Sequence, residues 1–319
     1  MPLFLIGYYL LLFFSGLLER KNEAVNIIFP RNSSWVILSP IEQRIKEKIE
    51  KVGVPLKEWD IRINYGIKTG CNEAFIIDKT KRDELIKQSP NSVDIIRPIL
   101  RGKDIKKYGY NFADKYLITT FPSKKYNIED YPAVRDYLLN FGKSDTEYLS
   151  QYGNDCWGKN RLAQSGNKGS RKKTHNKWFE LQDSIAYWDD FNKQKIIWTD
   201  IACKPSFVFS DKEIYFLNTA YMLSGHHLYY LLHILNSKLI TFYFTHTATG
   251  LGNKGLRLFK IFVEKIPIPV YVNSDIQRSL DSYKPVINLQ SEQEKINKWV
   301  NQLYHLNTEE IGYINSISE

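Results

Sequence analysis

Residues 153–178 read GNDCWGKNRLAQSGNKGSRKKTHNKW, and residues 178–198 continue as WFELQDSIAYWDDFNKQKIIW. The first stretch, here called the basic loop, carries seven Lys or Arg against one acid, together with four glycines and few aliphatic residues. This composition lacks the periodicity of a helix or a strand, so we expect a mobile loop. The second stretch is rich in aromatic and branched residues, which predicts a packed body from which the basic loop extends.

A cationic loop on a packed body suits a polyanionic partner, because Lys and Arg neutralise phosphates and release counterions. Asn, Gln, Ser and His are interleaved with the cations, and such side chains can contact base edges. A solvated surface loop without a partner is the open alternative. The candidate DNA contacts are Lys159, Asn160, Arg161, Gln164, Asn167, Lys168, Arg171, Lys172, Lys173 and Lys177. Of these, the candidate base readers are Asn160, Gln164, Asn167 and Arg171.

The overall composition limits the class of protein. The chain has 319 residues with 43% hydrophobic content, enough for one large domain or two ordinary ones. Its net charge of +9 favours nucleic acid or an anionic membrane surface as the partner. Cys71, Cys156 and Cys203 form no CxxC pair, which argues against a disulfide framework and a cysteine zinc site. We therefore expect a cytoplasmic protein.

The N-terminal residues 1–18 are strongly apolar and uncharged. Their number is at the lower limit for a membrane span, and the positive charges follow the apolar run instead of preceding it. A membrane anchor, a buried remnant of a preceding domain and a displaced start are the alternatives. We favour the last two and assign residues 1–38 to an apolar remnant or linker, with a membrane partner disfavoured.

The remaining sequence predicts an α+β fold: a mixed short-strand sheet with buried helices, followed by a helical C-terminal region. Ser39 and Glu42 form a capping-box pattern around Pro40, which predicts a helix over 40–52. Further helices are expected at 79–87, 132–140, 226–244 (one or two), 291–304 and after Thr308. Short strands are expected at 60–63, 74–77, 116–120, 195–199, 206–210 and 213–217.

Two further basic segments are candidate DNA contacts. Arg101, Lys103 and Lys106, with Lys107 beside them, follow the apolar run 95–100 and are expected to face a phosphate backbone. The second is the glycine-rich loop 248–257, with Asn253, Lys254 and Arg257 as its candidate contacts. That loop lacks the GK[ST] ending of a P-loop, so a loop approaching DNA or a simple turn remains.

Catalytic and metal-binding patterns are weak. No proline is followed by Asp, as a PD-(D/E)xK nuclease would require. His226, His227 and His233 lie in an apolar run without nearby carboxylates or cysteines, and this favours packed or surface histidines over metal ligands. Trp178 and Phe179 are expected to be core anchors instead of base-stacking residues. We predict no catalytic, cofactor-binding or metal-binding residue in this chain.

Several long sequence segments occur in the same order as in one known family. They are PLKEWDIRINYGIKTGCNEAFIID (55–78), IIRPILRGKDIKKY (95–108), KWFELQDSIAYWDDFNKQKIIWTDIA (177–202), YYLLHILNSKL (229–239) and EKIPIPV (264–270). With them the chain resembles, over about 39–319, the C-terminal specificity region of TaqI-like and Eco57I-like adenine-specific DNA methyltransferases. That group includes the fused type IIG restriction-modification enzymes.

The resemblance implies a DNA target-recognition domain. In full-length members, a methyltransferase domain binds S-adenosylmethionine and flips out an adenine for N6 methylation. S-adenosylmethionine, with Mg²⁺ as an additional candidate, is expected for such members and not for this chain. The sequence departs from the full-length pattern because none of its 12 prolines is followed by another, so an Asn-Pro-Pro-Tyr motif is lacking. Activity of this chain alone is therefore in doubt.

The resulting domain division is 1–38, then 39–94 as a helix–strand linker, 95–270 as the recognition domain and 271–319 as the helical C-terminal region. The expected function is sequence-specific binding of double-stranded DNA as the recognition part of an adenine-N6 methyltransferase or type IIG system. One alternative is an active methyltransferase or endonuclease subunit that acts with a separate catalytic chain. The others are a membrane-anchored basic protein and a degraded gene product without a cellular role.

Overall fold

The computed structural model describes residues 38–247, 255–284 and 290–317. The predictions for residues 1–18, and for Asn253 and Lys254, lie outside these described residues.

Short strands and helices alternate along the described chain. The strands are β1 (Val54–Pro55), β2 (Ile61–Tyr65), β3 (Ile76–Asp78), β4 (Ile96–Leu100), β5 (Ile105–Lys106), β6 (Gly109–Tyr110), β7 (Lys115–Ile118), β8 (Lys195–Thr199), β9 (Ile201–Ala202), β10 (Phe207–Ser210), β11 (Tyr215–Phe216), β12 (Ala220–Gly225), β13 (Leu256–Arg257) and β14 (Pro267–Ile268). The helices are α1 (Pro40–Val52), α2 (Asn72–Phe75), α3 (Lys79–Gln88), α4 (Pro132–Leu139), α5 (Thr146–Tyr152), α6 (Gly158–Leu162), α7 (Leu228–Leu235), α8 (Lys238–Thr247), α9 (Lys260–Val263), α10 (Asp275–Ser282), α11 (Gln290–Leu303) and α12 (Thr308–Ile317). The predicted α+β class is confirmed.

Two four-stranded sheets organise the fold. The central sheet has the order β10-β8-β12-β2 and is antiparallel throughout. The second sheet has the order β11-β4-β7-β3, in which β11 runs parallel to β4 and the other pairs are antiparallel. The remaining strands form three antiparallel pairs, β1–β14, β5–β6 and β9–β13.

The central sheet separates two hydrophobic cores. Successive side chains of a strand point to opposite faces, and β8 follows this alternation closely. Ile197 of β8 and Met222 of β12 pack into one core, whereas Ile196, Trp198 and Leu223 pack into the other. The near-continuous apolar run of β8 is thereby explained, since both of its faces are buried.

The first core contains residues of both four-stranded sheets, and residues that follow the basic loop also pack into it. It contains Phe179, Leu181 and Phe191, and Trp178 packs against it. The expectation that Trp178 and Phe179 anchor the body is therefore confirmed. The second core joins Ile45 of α1 to α7, α8 and the C-terminal helices. Both cores thus draw on residues from the predicted linker segment 39–94.

Helix boundaries follow the capping chemistry of the sequence. The Ser39 hydroxyl accepts a hydrogen bond from Glu42 N, and the Glu42 carboxylate accepts one from Ser39 N, so the predicted start of α1 is confirmed. A second box, Ser274 with Gln277, opens α10, which lies in the predicted helical region 271–319 but for which the sequence analysis gave no bounds. That helix could have been found from the same S-x-x-Q spacing.

The predicted strand 74–77 is half wrong. Asn72–Phe75 forms the short helix α2, and β3 begins only at Ile76. The cause is local: the Thr69 hydroxyl accepts a hydrogen bond from Cys71 N and donates one to Asn72 Oδ1, which sets up a helical turn.

The apolar run 226–244 forms two helices, α7 and α8, separated at Asn236. The Asn236 amide donates to Phe207 O and accepts from Phe207 N, so the break is fixed against β10. His233 is fully buried, and burial lowers the pKa of its imidazole to about 4. His233 is therefore a neutral core residue. Within residues 38–247, 255–284 and 290–317, no helix has both the length and the apolar character for crossing a bilayer.

Candidate nucleic-acid interface

The basic loop is more ordered than its composition predicts. Residues Gly158–Leu162 form α6, contrary to the expectation of no helix. Gly158 has φ +47, and a Cβ there would lie 2.0 Å from Leu139 O. Glycine is required because the loop passes directly over the C-terminal end of α4. The first part of the basic loop therefore packs against the first core.

Arg171 anchors the centre of the loop from the inside. The residue is 4% exposed. Nε donates to Leu162 O at 2.8 Å, Nη1 to Thr69 O at 3.0 Å and Nη2 to Trp178 O at 2.7 Å. Burial lowers the pKa of this guanidinium to about 10, which leaves it charged at neutral pH. Arg171 therefore joins three separate segments of backbone.

Gln164 has the same kind of role. It is 5% exposed, and its amide nitrogen donates to Lys177 O at 3.1 Å and Glu180 O at 2.9 Å. Its Oε1 accepts from the Thr174 hydroxyl at 2.8 Å. Sequence analysis assigned Gln164 and Arg171 to base edges, but in the folded chain both residues are buried and hydrogen-bonded to other groups of the protein, some of them outside the loop. We therefore leave these two out of the proposed contact set.

The other candidates of the loop are mostly on its outer surface. Lys159, Asn160, Asn167, Lys168, Lys172, Lys173 and Lys177 are exposed. Arg161 is the exception, because Nη1 donates to Asp145 Oδ2 at 2.8 Å and the guanidinium lies 3.5 Å from the centre of the Tyr148 ring. We call Lys168, Lys172, Lys173 and Lys177 the loop lysines; no salt bridge to them occurs among the described residues.

In the second predicted basic segment, Arg101–Lys107, some cations are exposed, whereas others are ion-paired or largely buried. Arg101 is bidentate to Asp104, with Nε–Oδ2 at 3.0 Å and Nη2–Oδ1 at 2.8 Å, so its charge is compensated locally. Lys103 and Lys106 are exposed. Burial, with Lys238 and Lys204 nearby, lowers the pKa of the Lys107 ammonium to about 8. Of the three cations predicted to contact DNA here, Lys103 and Lys106 are thus available to a phosphate.

The third predicted segment is described only at its end. Arg257 is half-buried in β13, which pairs with β9 through Arg257↔Ile201. Leu258 N donates to Asp200 O at 2.7 Å, so this arm is fixed to the turn after β8.

The register of the central sheet brings these segments to one end of the sheet. Thr199 faces Ala220, Trp198 faces Phe207, and Tyr221 faces Tyr65, so β8 and β2 finish where β10 and β12 begin. A Cβ on Gly102 would lie 2.8 Å from Thr199 Oγ1, which places the Arg101–Lys103 turn at this end. We call this end of the central sheet the strand-end face.

The loop after β2 connects the strand-end face to the basic loop. Gly66 N donates to Ala220 O at 2.9 Å, and Ile67 N to Phe216 O at 2.8 Å. Thr69 O then accepts from Arg171 Nη1 and from Gln182 N at 3.2 Å. The exposed cations of the segment Arg101–Lys107 and of the basic loop therefore lie on one network of backbone hydrogen bonds. We call this network the framework.

Sequence analysis missed four exposed residues of this framework. They are Tyr65, Lys68, Ile201 and Lys204. The available signal was the glycine-bearing loop after the strand 60–63, whose glycines permit close backbone packing. Their location at one sheet end could not be read from the sequence, because it depends on strand pairing.

The described residues provide little for metal chemistry. Within residues 38–247, 255–284 and 290–317, no group of three or more His, Cys, Asp or Glu side chains could hold a metal ion. His226 is exposed, and His227 Nδ1 lies 2.7 Å from Asp281 Oδ2, at the opposite end of the central sheet from the basic segments.

Comparisons with known proteins place the chain in a family. Residues 97–268, just over half of the chain, match the model of the TaqI-like C-terminal specificity domain. No curated protein gave a match. Among solved structures, the type IIG restriction endonuclease BpuSI is similar with a TM-score of 0.48 and 13% identity, over 83% of this chain and 33% of that chain.

The type IIL restriction-modification enzyme MmeI, solved in complex with DNA, is similar with a TM-score of 0.41 and 12% identity. The similarity covers 83% of this chain and 36% of that chain. The chain thus spans about a third of the length of either enzyme. On the match to residues 97–268, the chain belongs to the family of TaqI-like C-terminal specificity domains.

Proposed function

We propose that this chain binds double-stranded DNA sequence-specifically, as the target-recognition part of an adenine-N6 methyltransferase or type IIG restriction-modification system. The observation that carries the proposal is the exposed set of loop lysines on a framework continuous with the strand-end face. A specificity domain has to grip phosphates and reach base edges, and both requirements have candidate residues here.

Buried residues hold the backbone of the basic loop while exposed residues are left for contacts, and this arrangement supports the proposed function. Arg171 and Gln164 hold the loop backbone from inside, so the outer side chains start from a fixed position. A pre-organised contact surface loses less conformational entropy on binding than a free loop would. Lysines then contribute affinity through phosphates, and Asn160 and Asn167 remain as base readers, since Asn can pair with adenine through two hydrogen bonds.

The catalytic step belongs to other parts of the proposed system. S-adenosylmethionine, and Mg²⁺ where DNA is cleaved, would be bound by a methyltransferase or nuclease domain on the same or a separate polypeptide. The residues described here would contribute recognition and positioning of the duplex.

A salt titration tests whether the loop lysines grip phosphates. Binding of a labelled, randomised duplex is followed by fluorescence anisotropy over a series of salt concentrations. We expect log K to fall linearly with log salt, and Lys172→Ala to reduce that slope by about one.

Lys212→Ala is the matched control, because Lys212 is exposed next to the opposite end of the central sheet. It should leave the slope unchanged. Absence of duplex binding even at low salt, or equal slopes for wild type and Lys172→Ala, would contradict the proposed role of the loop.

A further inference from the structure

Tyr65 is an exposed aromatic side chain on the strand-end face, at the end of the edge strand β2. It is the last residue of β2, and it is 47% exposed although its neighbours Gly66 and Ile67 are buried. Ile201, 45% exposed, is a second large apolar side chain at the same sheet end. Exposed apolar surface within a polar, cationic face commonly marks a contact with a partner.

The backbone beneath Tyr65 is tightly fixed. The Tyr187 hydroxyl donates to Tyr65 O at 3.0 Å, and the two rings meet edge to face with centres 6.0 Å apart. The next residue cannot carry a side chain, because a Cβ on Gly66 would lie 2.2 Å from Leu217 O. The Tyr65 ring therefore projects from a rigid strand end, and holding it there costs little conformational entropy.

The chain that follows Tyr65 along the same framework carries an exposed cation and is bonded to the basic loop. Lys68 is exposed three residues further on, and its carbonyl accepts from Asp183 N at 3.3 Å. The adjacent carbonyl, Thr69 O, is held by Arg171 of the basic loop. A duplex bound through Lys68 and the loop lysines would lie against the exposed ring.

We propose that Tyr65 is a stacking residue that packs its ring against a base of the bound DNA at a step where the duplex is opened. The inference rests on the proposed function and adds a contact that lies outside the basic loop. Stacking between an aromatic side chain and a base accepts any base, because every base has a π-face. Tyr65 would therefore favour opened DNA over intact duplex without choosing the sequence, which the basic loop would read.

The test compares two labelled duplexes of equal length, one fully paired and one with a single unpaired 2-aminopurine. An already unpaired base removes the cost of unstacking, so a stacking residue binds it more tightly. We expect wild type to prefer the interrupted duplex by roughly 10-fold, and Tyr65→Ala to lose that preference while keeping its affinity for the paired duplex. Tyr65→Phe retains the ring and should retain the preference.

The outcomes separate this inference from the proposed function. If wild type and Tyr65→Ala show the same preference, or if wild type binds the paired duplex but shows no preference, Tyr65 does not stack and the recognition role is unaffected. If wild type binds neither duplex, both proposals fail. A fluorescence melt of each variant checks the fold, and Tyr65→Leu, which also removes the ring but keeps an apolar side chain, decides the result if Tyr65→Ala is unfolded.

Discussion

Replacing Arg171 by methionine is expected to lower the free energy of unfolding by about 3 kcal/mol or more. The methionine removes the charged donor from the carbonyl groups of Leu162, Thr69 and Trp178, and among the described residues only Thr69 O keeps a second hydrogen bond, from Gln182 N. Each buried polar group that loses its partner costs about 1–3 kcal/mol. Urea unfolding followed by tryptophan fluorescence measures the change.

Two variants sharpen this experiment. Arg171→Lys keeps the positive charge but replaces a planar fork by one ammonium, so it should recover only part of the lost stability. Lys172→Met, at the exposed neighbouring position, should change the stability by no more than about 0.5 kcal/mol. If Arg171→Met unfolds like wild type and loses DNA binding instead, the arginine reaches DNA, and its role as an internal anchor is wrong.

The second large effect is expected on affinity alone. Replacing all four loop lysines by alanine should weaken duplex binding roughly 100-fold at low salt and remove about 3–4 from the slope of log K against log salt. The reason is that each neutralised phosphate contributes about 0.9 to that slope. The fold should survive, since all four side chains are exposed. Anisotropy and urea unfolding on the same preparations give both quantities.

A charge-matched control has four alanines in place of exposed cations outside the basic loop, Lys51, Lys57, Arg62 and Lys212, of which Arg62 and Lys212 lie in or next to strands at the opposite end of the central sheet. It has the same net charge as the loop variant. If both quadruple variants lose affinity equally, net charge alone attracts the DNA, and the loop lysines have no special position.

The secondary structure was largely predictable where capping chemistry and periodicity agree. Ser39 and Glu42 fixed the start of α1, and the near-continuous apolar run of β8 agrees with its burial on both faces. The strand predicted over 74–77 was partly wrong because a side-chain turn at Thr69 overrides the local β preference. Such tertiary and side-chain effects are weakly encoded in short windows.

The sequence predicted which residue types form the candidate interface. It did not predict which of these residues are exposed contacts and which are internal anchors. Arg171 and Lys172 are adjacent cations in the same glycine-rich run, yet one is buried and the other exposed. What separates them is the position of three carbonyls, one of which, Thr69 O, is 102 residues away in sequence. Tyr65 escaped notice for a related reason, since strand pairing alone places it on the strand-end face.

Selection from a randomised duplex pool at near-physiological salt tests the central claim most directly. The wild-type chain is incubated with the pool, bound DNA is recovered and sequenced over several rounds, and the four-lysine variant is carried in parallel. The account predicts that wild type enriches one short site and that the variant recovers too little DNA to enrich it. Binding that disappears with salt, without any enriched site, would contradict sequence-specific recognition by this chain.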